Sequence, residues 1–132
     1  MWRREGAGEI YAYIPITDAN HAAQTAIPGT IVNNDFGYSV GRGAFNFTTG
    51  QWIAIAQRVR LNTLNNTDGL IDLWVDGKEI IKLRNITLLE GANGTLQGSH
   101  FQTFFGGNSV EWASPKTQRA WFADISGAII ES

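Results

Sequence analysis

The chain has 132 residues, a formal net charge of -2, two histidines and no cysteine. That length supplies one domain with a real core and leaves no room for a second, and a thin scatter of Lys and Arg argues against nucleic acid or an acidic membrane surface as the main partner while leaving polyanion binding by a local basic patch open. Without cysteine there is no disulfide, thiol nucleophile or zinc cluster, and His21 and His100 alone do not make a transition-metal site, so neither a metal nor another cofactor is expected.

"MWRREGAGE" carries charge and no apolar core, so it is not a signal peptide, and no apolar run approaches the roughly 18 residues a membrane span needs. From there on the apolar period is two. In "EIYAYIP", Glu9, Tyr11 and Tyr13 share one strand face, with the two phenols about 6.6 Å apart, while Ile10, Ala12 and Ile14 share the other. The pattern fits a half-buried strand whose polar face lines a groove, and equally one that faces water. The stretch from Thr17 to Asn34 offers no helix signal and reads as a long surface loop.

"DFGYSVGRGAF" reads as a strand over Phe36–Gly41 leading to another over Ala44–Phe47. Its glycines at 37, 41 and 43 have no strand-to-helix context for cradling a phosphate and mark bulges or tight turns. Arg42 projects from such a turn, into a groove or into solvent. "QWIAIAQRVRLN" places Arg58 and Arg60 on one face with Trp52 near its start. A guanidinium pair beside an indole would hold a sugar carboxylate against a stacking platform, and a solvated outer face accounts for the same residues. In "LIDLWVDGKEIIKL" the Asp76-Gly77 step joins Leu70–Val75 to Glu79–Leu83 in a hairpin, because a type I′ turn needs positive φ at both central residues.

Further strands are expected over His100–Phe105, where His100 and Gln102 share a face with Phe104, and over Ala120–Ile130; Trp112 between them belongs to a loop at one end of a cleft or packs beneath it. Many short strands with Gly-rich turns make one all-β domain over residues 1–132, an antiparallel sandwich or barrel. Four N-x-S/T sequons, at Asn46, Asn65, Asn85 and Asn93, exceed the single one that ten Asn and seventeen Ser and Thr give by chance. They point to a secreted, N-glycosylated protein, although an Asn- and Thr-rich β chain also gathers sequons by composition. The paired carboxylates of a retaining glycosidase, as in an E-x-D-x-x-E run on one strand, are missing, since Asp72 and Asp76 share parity but Asp76 belongs to the turn. A G-x-S-x-G elbow is missing as well.

In that order, "MWRREGAGEIYAYIP", "DFGYSVGRGAFNFTTGQW", "RVRLN", "LWVDGK", "FQTFFGG" and "WASPKTQRAWF" resemble the catalytic domain of polysaccharide lyase family 14, particularly its fungal members, from Trp2 to about Ile125. The resemblance implies a β-jelly roll whose concave sheet binds an acidic polysaccharide, a polyuronate such as alginate or glucuronan, and cleaves it by β-elimination. The C5 proton of a uronate is barely acidic until a cation or amide neutralises the adjacent carboxylate. A base then removes it while an acid serves the departing O4, and tyrosine can do both where a neighbouring cation favours the phenolate.

The family's active-site Tyr-x-Tyr implies Tyr11 and Tyr13 as catalytic residues, with Arg42, Arg58, Arg60, His100, Gln102 and Trp112 as the candidate substrate contacts and His100 and Gln102 on the same concave surface as the tyrosines. In the family the "MWR" stretch is preceded by strands bringing a lysine, a serine and an arginine to the cleft, so the chain reads as the C-terminal part of a lyase domain lacking its N-terminal strands. A carbohydrate-binding jelly roll that kept the groove and lost the reaction is the alternative.

Overall fold

The computed structural model describes residues 3–35 and 37–130. Phe36, the first residue of one expected strand, lies outside them, as do Met1 and Trp2. The chain divides into two compact units, Met1–Gln97 and Gly98–Ser132.

Among the described residues the regular strands all lie in the first unit. They are β1 (Ile10–Ala12), β2 (Ile31–Asn33), β3 (Gly37–Val40), β4 (Ile55–Arg60), β5 (Gly69–Val75) and β6 (Lys78–Ile86). They form two antiparallel sheets, ordered β1-β3-β2 and β4-β5-β6. Each sheet buries the apolar half of its alternation: Ile10, Ala12, Tyr38 and Val40 from the first meet Ile71, Leu73, Val75, Ile81 and Leu83 from the second in a single cluster. The result is an antiparallel β-sandwich, as the period-two pattern requires. Asp76 and Gly77 take φ of 49° and 78°, the positive pair demanded by the hairpin between β5 and β6. Gly41, at φ 64°, ends β3 where a Cβ would approach Ile81 to 2.8 Å. Only glycine fits there, and that turn aims Arg42.

Three expectations need correction. Within the stretch expected to be loop, Asp18–Thr25 forms an α-helix, α1, capped by Thr17, whose hydroxyl accepts from the Asn20 amide at 3.1 Å. Its buried residues are polar, Asn20 and Gln24, so no apolar period announces it. Second, Ala44–Phe47 contributes one isolated bridge, Ala7 to Asn46, rather than a strand. Third, in the second unit neither His100–Phe105 nor Ala120–Ile130 forms a strand; the one regular element among its described residues is a 3-10 turn at Val110–Trp112. β propensity describes fit to a pleated, half-buried surface, and without a hydrogen-bonded neighbour these runs stay unladdered. Phe101 and Phe122 pack edge to face there, with centroids 4.7 Å apart. Among the described residues no helix is long and apolar enough to cross a membrane.

Two buried amides fasten the chain after β6. Asn20 donates to the Pro15 and Thr87 carbonyls, both at 2.8 Å, and accepts from the Thr87 amide at 2.7 Å. Asn62 accepts from the amides of Leu88 and Leu89, both at 2.7 Å, and donates to the carbonyls of Asn66 (3.0 Å) and Leu89 (3.1 Å). Asn62→Ala strands several of these backbone groups at once. It should lower the unfolding free energy by roughly 3 kcal/mol in urea titration, a unit or two for each orphaned buried group less what water recovers; a loss near zero would mean that the amide is dispensable.

Candidate active site

The outer face of the first sheet is built on β1 and β3. The register sets Tyr11 opposite Ser39. Two residues before Tyr11 on the same face, Glu9 is fully buried. Its carboxylate accepts from Arg3 Nε at 2.6 Å, from Arg42 Nε at 2.9 Å and, through a very short hydrogen bond, from the Ser39 hydroxyl. Arg42 Nε also reaches Ser39 Oγ at 3.0 Å. Burial acting alone would raise the Glu9 carboxyl, but the hydrogen bonds from Ser39, Arg42 and Arg3 outweigh it and hold the group below its ordinary value. Glu9 is therefore ionised at neutral pH, and it fixes two guanidiniums side by side.

Arg3 lies over the Tyr11 ring, with Cζ 5.3 Å from the centroid. Tyr11 and Tyr13 stand with centroids 5.1 Å apart and ring planes at 55°. Tyr11 is half-buried and Tyr13 is 74% exposed; neither enters the core. Burial first, then the Tyr13 phenol, push the Tyr11 phenol above its ordinary value, and the pull of Arg3 does not offset them. The cation thus does not make Tyr11 a phenolate in the free protein. Beyond Tyr13 a groove of about 320 Å³ runs between the segment after β1 and the β2–β3 turn, lined by Ile14, Asn33, Asp35, Tyr38 and Glu90. Tyr38 hydrogen-bonds His21 Nδ1 at 3.0 Å.

Tyr11, Tyr13 and Arg42 therefore lie on one face. Arg58 and Arg60 do not join them, because they point outward from the second sheet, across the core. There Arg58 binds Asp72, and its aromatic neighbour is Trp74 at 5.8 Å rather than Trp52. In the second unit His100 and Gln102 are exposed in an unladdered segment, and Trp112 closes the 3-10 turn, 58% exposed. The sequon asparagines Asn46, Asn65, Asn85 and Asn93 are all exposed. Glu9, Arg3 and Ser39 escaped the reading of the sequence. The shared parity of Glu9 with Tyr11 was a signal, but nothing in the chain order shows that Ser39 and Arg42 meet it thirty residues later.

The family model of polysaccharide lyase 14 matches residues 1–125. A crystal structure of the marine PL-14 alginate lyase from Aplysia kurodai is similar, at 32% identity and a TM-score of 0.69. The match covers 86% of this chain and 44% of that one, so this chain spans less than half the length of that enzyme. No curated protein sequence matches.

Proposed function

The chain belongs to polysaccharide lyase family 14, and from that premise we propose that the first sheet carries a β-eliminating site for a polyuronate of the alginate or glucuronan class. The observation that carries the reading is the charge balance beside the phenols: two guanidiniums share one buried carboxylate, leaving a surplus positive charge next to Tyr11.

That surplus is where a uronate carboxylate binds, with Arg42 and Arg3 drawing electron density from it so that the C5 proton becomes removable. Tyr13, open to substrate, takes that proton when it reacts as the phenolate. The C5 electron pair forms the C4=C5 double bond as the C4–O4 bond breaks, and Tyr11, protonated at neutral pH, gives its proton to O4. Asp35 and Glu90 on the groove walls repel a carboxylate, so the neighbouring sugar lies there with its hydroxyls toward them. The exposed sequons support passage through a secretory route to an extracellular substrate.

Incubating the chain with alginate, and separately with glucuronan, should raise the ultraviolet absorbance of unsaturated uronate ends. Binding of either polymer with no new unsaturated ends would instead support a carbohydrate-binding role. Cleavage that leaves saturated ends would sink elimination as the mechanism.

A further inference from the structure

The register of the second sheet arranges its outer side chains in three rows: Ala56, Trp74 and Glu79; Arg58, Asp72 and Lys82; Arg60, Leu70 and Arg84. At the centre Asp72 is fully buried. Arg58 donates to its Oδ2 from Nε at 3.0 Å and Nη2 at 2.7 Å, and Arg84 donates to Oδ1 from Nη1 in a very short contact. Burial would raise this carboxyl, yet the bonds from Arg84 and Arg58 hold it below its ordinary value. Asp72 is thus an anion at neutral pH, beneath the surface, that holds two guanidiniums in place on either side of itself. Their side chains remain 36% and 30% exposed. Arg58 also covers the half-buried Trp74 indole. Lys82 is more open and lies 3.8 Å from Glu79, and Arg60 donates Nη2 to the Asp68 carbonyl at 3.0 Å. Glu79 also lies 3.7 Å from Arg84, and the Asp68 carboxylate faces Arg60, so Arg58, Arg60, Lys82 and Arg84 outnumber Asp68, Asp72 and Glu79 and leave this face mildly positive on a chain whose net charge is -2.

We propose that this face is a second, non-catalytic binding surface for an acidic polysaccharide, on the opposite side of the sandwich from Tyr11 and Tyr13. Strands about 4.8 Å apart and alternate residues about 6.6 Å apart spread the four cations over a flat area. That geometry suits an extended polymer with one carboxylate per ring better than a compact phosphate. Guanidinium forks pair with carboxylates, and the indole edge gives the apolar face of a sugar ring a place to lie. A net acidic chain repels duplex nucleic acid, with a charge about every 1.7 Å, more strongly than a polyanion with one charge per ring. The surface would keep the enzyme on its polymer between encounters with the site. The choice of a uronate among polyanions rests on the function proposed above; the existence of the cationic surface does not.

The test is electrophoresis of the intact chain through native gels containing alginate, glucuronan, a neutral glucan or single-stranded RNA at low salt. The two uronate polymers should retard the wild type. The Arg60→Gln, Lys82→Gln protein, which leaves both partners of Asp72 in place, should bind about tenfold more weakly. The same pair of changes in a Tyr11→Phe, Tyr13→Phe background should produce the same loss, because the sites are far apart. If Arg60→Gln disturbs the thermal transition, Lys82→Gln alone, which removes no backbone contact, should still weaken retention several-fold. An unretarded wild type, a variant that migrates like it, or equal retardation by the neutral glucan or RNA overturns the proposal. Absence of unsaturated ends would sink the lyase reading instead.

Discussion

Removing both guanidiniums from Glu9, in an Arg3→Met, Arg42→Met protein, should turn that carboxyl from an asset of the fold into a burden that grows with pH. In the wild type its folded-state pKa is depressed, so its contribution is complete above the ordinary glutamate value of about 4.3 and is lost as pH falls through the lower folded value. With the arginines gone the burial remains, opposed by the Ser39 hydrogen bond but no longer by any cation, so the carboxyl rises. The folded-state value then moves up from its depressed position, and the stabilisation above pH about 4.3 shrinks or reverses. The two proteins should differ least in acid, where Glu9 is protonated in both states, and most at neutral pH, where the charge sits buried without its cations. The neutral-pH difference should reach about 3–5 kcal/mol, the usual consequence of breaking a buried ion pair from one side. Asp72 also loses stabilisation in acid, but equally in both proteins, so it cancels in the difference. Urea titrations across the range from acid to neutral measure this directly. A difference that stays flat with pH would mean that Glu9 is not the carboxylate organising this face.

That prediction concerns a residue whose parity was legible and whose partners were not. Alternation located Ile10 and Ala12 in the core, Glu9 and Tyr11 outside it, and the Asp76-Gly77 hairpin to the residue, because strand faces and turn dihedrals are local properties. Register between strands is not local. The pairings that bring Ser39 beside Tyr11, and Asp72 beside Arg58, depend on which strands become neighbours. An outer-face arginine was therefore visible as a cation while its buried carboxylate was not. The α1 helix hid for a related reason: it packs through Asn20 and Gln24, whose buried amides look like solvent-facing residues in a pattern search. Segments 100–105 and 120–130 mislead in the opposite direction. Their apolar and aromatic alternation is what a strand needs, but a ladder needs a neighbour as well as a pattern.

Single replacements of the two phenols should separate their roles. Tyr11→Phe keeps the ring that packs beside Tyr13 and under Arg3 and deletes only the proton that O4 receives in the proposed mechanism. Turnover on alginate or glucuronan should fall by about 100- to 10,000-fold, the usual contribution of a positioned acid or base, with KM little changed. Because burial and Tyr13 push the Tyr11 phenol up, it remains a donor throughout the neutral range. The wild-type rate should therefore decline only in strong alkali, as Tyr11 loses its proton. In Tyr11→Phe that alkaline decline should vanish. Tyr13→Phe should lower turnover to a similar degree. A uronate bearing an aryl leaving group at C4, which departs without protonation, sharpens the distinction, since it should restore most of the rate to Tyr11→Phe and little to Tyr13→Phe. Equal rescue of both variants, or of neither, would mean that the proton reaching O4 does not come from Tyr11, and the assignment of donor and base along β1 would have to be abandoned.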